Sequence, residues 1–267
     1  MKYIMLVDVE GVTGVTNYQQ AETSEFGIRM LMNDIKAVLD GILSIPGNSV
    51  LIYEEHTDGC NIRLEELPAE VSVVRGKPLV EGAWAGIDAS FDGLIMVGFH
   101  ARAQETGALL PHSYVRWNRN ISVNGITVGE IGMEAALAGE NGVPLVLVTG
   151  DSAGVKEAEA LVPGVVTVTV KEAIGEYEAL CYPPARTGQM LKQAGEMVGR
   201  QVPPTAPLVF GKPAVLKVEL EEGAFLDRVR DWYPERLDGA TVEIREDTLT
   251  AAWTRYLHME RRIIRAL

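Results

Sequence analysis

The sequence predicts an α/β fold with a mixed, largely parallel sheet covered by helices on both faces. Three observations carry that reading. Short unbroken apolar runs recur along the chain, segments with apolar residues three and four apart separate them, and the composition is that of an ordinary globular protein, 47% hydrophobic and 23% charged.

The first run, residues 2–7, reads Lys-Tyr-Ile-Met-Leu-Val, and further runs follow at 49–53, 71–74, 94–99, 144–149 and 165–170. Runs without polar alternation fit strands buried on both faces, as parallel sheets require. Between the first two, Ile28, Leu31, Met32, Ile35, Val38, Leu39 and Ile42 line one face of a helix that Gly41 and Pro46 are expected to stop. Residues 121–127, around Asn124-Gly125, predict a hairpin, and helices are expected over 129–141, 152–161 and 184–200. Pro203, Pro204, Pro207 and Pro213 mark a shift in composition, followed by expected strands at 214–220 and 240–245 and an amphipathic helix over 247–265. Because a piece of about 55 residues makes a marginal folding unit, 1–267 is read as a single domain, with a C-terminal subdomain at 203–267 as the alternative.

Charge and segment lengths exclude several classes. Lys and Arg total 24 against 37 Asp and Glu, a net charge of −13 that repels phosphate backbones and anionic lipid, so neither nucleic acid nor membrane is an expected partner. The longest apolar runs, 94–99 and 143–149, fall far short of the roughly 18 residues of a membrane helix. The first run meets Asp8 too early for a signal-peptide core, and a cytoplasmic location is expected. Cys60 and Cys181 are isolated, which leaves no disulfide framework and no zinc knuckle.

Candidate chemistry collects at strand ends. Asp8 and Glu10 follow the first run, His56 follows the second, and His100 directly follows 94–99. Open α/β sheets place their sites at that carboxyl edge. Asp8 and Glu10 are two apart, so in extended chain both carboxylates face one side, and two carboxylates so close call for a neutralising cation. Glu130, after Gly129 at an expected helix start, adds a third. Taken singly, a strand-end Asp is ordinarily a turn former, a lone His a packing residue, and Glu130 a helix-dipole partner. Together, two imidazoles and three carboxylates suit zinc, manganese or a related divalent ion, and suffice for two ions sharing a carboxylate.

The segments Leu6-Val7-Asp8-Val9-Glu10-Gly11, Gly98-Phe99-His100-Ala101-Arg102-Ala103, His112-Ser113 and Val128-Gly129-Glu130 occur in an order and spacing that resemble the zinc-dependent D-aminopeptidase family, also known as dipeptide transport proteins. The similarity runs from residue 1 to about 175 and includes Gly150-Asp151 and Lys156-Glu157-Ala158-Glu159. Where the family often carries Asn-Asp-Ser-His, this chain has Tyr53-Glu54-Glu55-His56. The resemblance implies a three-layer α/β/α sandwich and ring-like homo-oligomers. It implies two zinc ions per subunit on Asp8, Glu10, His56, His100 and Glu130, with Asp8 bridging. It also implies a catalytic His112, as nucleophile or as proton carrier to the leaving amine, acting on short peptides or amino-acid amides. Asp151, Arg102 and Asn124 are candidates for supporting a ligand or meeting substrate, and Trp117 also lies near the candidate site in sequence.

Other readings remain open at this level. Gly150-Asp151-Ser152-Ala153-Gly154 matches the G-x-S-x-G of serine hydrolases, with His258 as the available later histidine; the bland alternative makes Ser152 a helix cap. A non-catalytic dipeptide-binding protein and a metal phosphoesterase are the others, although Gly11-Val12-Thr13-Gly14 matches no phosphate-binding glycine loop.

Overall fold

The computed structural model describes residues 1–76 and 87–267. Its elements in chain order are β1 (Lys2–Val7), α1 (Tyr18–Thr23), α2 (Glu25–Leu43), β2 (Ser49–Glu54), β3 (Val71–Val74), β4 (Gly93–Phe99), β5 (Asn118–Val123), β6 (Ile126–Val128) and α3 (Glu130–Glu140). There follow β7 (Leu145–Asp151), α4 (Ser152–Leu161), β8 (Val166–Gly175), β9 (Glu178–Cys181), α5 (Pro184–Arg200), β10 (Ala214–Leu220), α6 (Ala224–Trp232), β11 (Leu237–Asp238), β12 (Thr241–Glu246) and α7 (Leu249–Ile264).

The described strands form two sheets, one of seven strands ordered β3-β2-β1-β4-β7-β8-β9 and one of five ordered β11-β12-β10-β5-β6. The first is parallel except for β9, which pairs antiparallel with β8. Alternation along β1 builds its layers: Tyr3, Met5 and Val7 pack with Leu31, Ile35 and Val38 of α2 and Leu191 and Val198 of α5. Ile4 and Leu6 pack on the opposite side, with Ile131 and Ala135 of α3 and Ala158 of α4. The result is a three-layer α/β/α sandwich.

Gly41 does not stop α2, which runs on to Leu43. A Cβ on Gly41 would lie 2.2 Å from the Lys192 carbonyl oxygen, and one on Gly195 would lie 2.4 Å from that of Val38. The two glycines instead let α2 and α5 approach backbone to backbone.

The second sheet is antiparallel, and β10 pairs with β5, so the 118–128 hairpin and the C-terminal strands share one sheet. Asn124 and Gly125 turn that hairpin with φ of 49° and 82°, the left-handed pair that a tight two-residue turn needs. Leu216, Val218, Val242 and Ile244 meet Trp253 and Tyr256 of α7 in its core. α3 serves both cores, giving Met133 and Leu137 to this one and Ile131, Ala135 and Ala138 to the other, which is why every residue of it except Glu140 is buried. No helix among the described residues is long and apolar enough to cross a membrane.

Candidate metal centre

β1 lies between β2 and β4 in parallel register, so the carboxyl ends of all three open at the same edge. The chain leaves β1 tightly: Asp8 N–H donates to the Val97 carbonyl at 2.9 Å and Gly11 N–H to that of Gly98 at 2.7 Å. A Cβ on Gly11 would fall 1.9 Å from the Phe99 carbonyl oxygen, so only glycine allows this approach. From beneath, the fully buried Lys171 of β8 donates to the carbonyls of Glu10, Val12 and Val15 at 2.6, 2.8 and 2.5 Å. All three of its protons are thereby spent on the loop that carries Asp8 and Glu10.

Asp8, Glu10, His56, His100 and Glu130 come together, each buried, with His112 beside them. His56 Nδ1 lies 2.9 Å from Asp8 Oδ1 and 3.0 Å from Glu10 Oε2. His100 Nε2 lies 3.4 Å from both Asp8 Oδ2 and Glu130 Oε1, and His112 Nε2 lies 3.9 Å from that same Glu130 oxygen. The His100 and His112 rings stack at 4.1 Å with 8° between planes.

Each imidazole is held the same way. His56 Nε2 faces the Ala21 carbonyl at 3.0 Å, His100 Nδ1 that of Ala101 at 2.9 Å, and His112 Nδ1 that of Leu110 at 3.0 Å. A carbonyl only accepts, so each of these nitrogens carries the proton, and the opposite nitrogen of each ring is directed at carboxylates. Metal-ligating histidines have this arrangement. Two overlapping groups, Asp8-Glu10-His100 and His100-His112-Glu130, each bring one ligand atom per residue within 4.8 Å of the others. Asp8 Oδ2, Glu10 Oε2 and His100 Nε2 are buried and satisfied by no hydrogen bond, which is the condition a cation would relieve.

The electrostatics agree. Burial would raise the Asp8 pKa, but the bond and charge of His56 and the charge of His100 outweigh it and hold the carboxyl well below its usual range. Burial likewise opposes charge on His56 and His100, yet Asp8 and Glu10 around the first, and chiefly Glu130 around the second, raise both imidazoles. Burial would also raise Glu130, and His100 instead lowers it. Three buried carboxylates thus favour positive charge among them, and the residues fit divalent ions.

The remaining sequence candidates fall in different places. Arg102 pairs through its guanidinium with Glu105 at 2.6 Å. Asp151 is buried and caps α4, accepting from Ala153 N–H at 2.7 Å and Gly154 N–H at 3.2 Å, which makes it, rather than Ser152, the cap. Asn124 is not brought to the cluster. Its amide bonds the Phe210 and Pro213 carbonyls at 2.8 and 3.2 Å and the Val215 N–H at 2.7 Å, fastening the hairpin turn to the second sheet. Trp117 stacks on Phe225 in the second core. Ser152 Oγ accepts the Ala173 N–H at 3.0 Å, while His258 lines a cavity of about 240 Å³ with Tyr233, Arg236 and Met259. That arrangement assembles no serine triad.

Sequence reasoning does not single out the residues that hold the side chains of this cluster. Tyr114 N–H donates to Glu130 Oε1 at 2.6 Å, and Tyr18 sets its ring edge-on to His112 with centroids 5.8 Å apart. Lys171 had a signal of its own, a lysine at the end of the apolar run 165–170.

Known proteins share this architecture. A D-aminopeptidase of Bacillus subtilis (strain 168) is 29% identical over 223 residues, covering 82% of this chain and 81% of that protein. A solved structure, described as the Zn-dependent D-aminopeptidase DppA from Bacillus subtilis, a self-compartmentalizing protease, superposes with a TM-score of 0.89 at 26% identity, over 99% of this chain and 98% of that one. The family model of the M55 D-aminopeptidases matches residues 1–257, and the chain belongs to that family.

Proposed function

We propose that this chain is a zinc-dependent aminopeptidase that releases an N-terminal D-amino acid from short peptides or amino-acid amides. One observation carries the reading: three imidazoles, each anchored through one nitrogen to a backbone carbonyl, turn the other toward a group of buried carboxylates in which Asp8 Oδ2 and Glu10 Oε2 have no hydrogen-bond partner. Asp8, Glu10, His56, His100 and Glu130 would hold two ions, with Asp8 shared because its two oxygens face different imidazoles. When bound, such ions supply Lewis acidity to the amide carbonyl and lower the pKa of water.

His112 does the proton work. Its Nδ1 is committed to Leu110, so Nε2 is the atom that takes a proton as the new C–O bond forms and delivers it to the departing nitrogen as the C–N bond breaks. The stack on His100 and the edge contact with Tyr18 keep that ring in place. The description of the relative as self-compartmentalizing extends here to a ring-like homo-oligomer, which light scattering would size.

The test is elemental analysis together with D-alanine release from a D-Ala dipeptide before and after chelation. About two ions per chain are expected, with activity lost to chelator and restored by zinc. Metal-free protein that hydrolyses esters and is silenced by a serine-directed reagent would overturn the reading.

A further inference from the structure

Glu157 is a buried carboxylate outside the ligand set, and its two oxygens join two loops of the site. One accepts the Arg102 N–H at 2.9 Å and the other the Gly129 N–H at 2.8 Å. Arg102 lies two residues after His100, and Gly129 immediately precedes Glu130. We propose that Glu157 is a positioning residue that fixes His100 relative to Glu130 and thereby sets metal affinity at the part of the site these two share. The inference rests on the reading of this cluster as a zinc site.

The packing leaves the two loops no room to settle differently. A Cβ on Gly129 would lie 2.6 Å from Arg102 Cβ and 2.8 Å from Glu157 Oε1, so the helix start, the loop and the carboxylate touch without intervening atoms. A Cβ on Gly154 would lie 2.9 Å from the His100 carbonyl carbon. Gly154 and Glu157 are three apart and share a face of α4. That face abuts the His100–Arg102 stretch at both points.

The helix is itself fixed, since Asp151 ends β7, the neighbour of β4, and caps α4. A continuous path therefore runs from the sheet through α4 to both ligand loops. Burial raises the Glu157 pKa and the two N–H donors oppose it. A buried charge is a costly way to satisfy two amides that neutral groups also satisfy. What the carboxylate adds is two strong acceptors on one rigid carbon, which hold N–H groups of separate loops side by side.

Two variants test this. In Glu157→Gln one acceptor becomes an NH2 facing an N–H donor, at unchanged size. Glu157→Asp keeps the charge and both acceptor oxygens but draws them back by one methylene, so they no longer reach both N–H groups, and it decides the matter if the first variant does not fold. Zinc affinity is read by competition with a chromophoric chelator, and ligand geometry by the visible absorption of cobalt-substituted protein.

Zinc affinity of the folded variants is expected to fall roughly 10- to 100-fold, with an altered cobalt spectrum. A merely structural role would lower the melting temperature of the metal-stripped protein and leave both readouts at wild-type values, and that result overturns the proposal. Wild-type protein that binds no zinc would instead remove the underlying reading of the site, and this inference with it.

Discussion

The two sheets show what strand direction does for chemistry. In the seven-stranded sheet, parallel neighbours open at one edge, so β1, β2 and β4 deliver Asp8, His56 and His100 to one place, with Asp8 2.9 Å from His56 and 3.4 Å from His100. In the five-stranded sheet neighbours run in opposite directions, and successive carboxyl ends point to opposite edges. Its inward side chains build a core, and its outward ones pair across strands, as Lys217 does with Glu243 at 3.0 Å. The meeting of Asp8, His56 and His100 is thus a consequence of parallel topology. α3 links the regions, presenting Glu130 to the site from its first turn and Met133 and Leu137 to the second core.

The sharpest way to break this contrast is one substitution in each region. Asp8→Ala removes the carboxylate shared between His56 and His100, and a loss of about 4 kcal/mol of transition-state stabilisation, on the order of a thousandfold in kcat/KM, is expected. Leu216→Ala hollows the second core and is expected to lower unfolding free energy by about 2–5 kcal/mol while kcat of the folded enzyme stays at its wild-type value. Denaturant titration and steady-state kinetics on both proteins check the pair. A Leu216→Ala enzyme with strongly reduced kcat would show that the second sheet does more than support.

A smaller effect separates pH dependence within the first region. Asp34 of α2 is buried, accepts from Thr13 N–H and Oγ1 at 2.8 Å each, and has its pKa pushed up to about 6 by burial, against the pull of those bonds and of Lys171. The native protein keeps this proton to about pH 6, whereas the unfolded chain releases it near 3.8. Between those values the native state binds more protons, so this group's contribution is fully present below pH 3.8 and is lost as pH rises toward 6. At roughly 1.4 kcal/mol per pH unit the loss is on the order of 3 kcal/mol. Asp34→Asn should flatten stability across that window, with its largest gain over wild type above pH 6, measured by urea titration at several pH values. An unchanged pH profile would mean that Asp34 does not carry the buried proton.

The sequence spelled out the elements with a clear apolar run or a clear apolar period. Strands 71–74 and 214–220 and helices 152–161 and 184–200 have the bounds their apolar patterns predict. α6 escaped because its nine residues bury only Phe225, Leu226 and Val229, too few for a period, and β9 because its four residues are largely exposed. The division into two sheets was not legible, since β5 finds its partner in β10, far along the chain. At the site, strand ends announced Asp8, Glu10, His56 and His100. Glu157 and Lys171 act on backbone groups of other loops, which no local pattern records. Asn124 carried a true turn signal, and its nearness in sequence to the candidate site does not bring its side chain there.

The finest probe of the contrast is a polar bond inside the second core. Tyr256 of α7 is fully buried and donates through its hydroxyl to Asn118 Oδ1 at 2.8 Å, joining the helix to the first residue of β5. The Asn118 amide nitrogen in turn donates to the Ser113 carbonyl at 3.2 Å, next to His112. Tyr256→Phe keeps the ring and leaves Asn118 Oδ1 without that donor, so a loss of about 1 kcal/mol in unfolding free energy is expected. Because Asn118 retains its own bond to Ser113, the His112 loop keeps its anchor and kcat should not move. A fall in kcat beyond twofold would trace a mechanical route from the second sheet to His112, and the two regions would then have to be treated as one site.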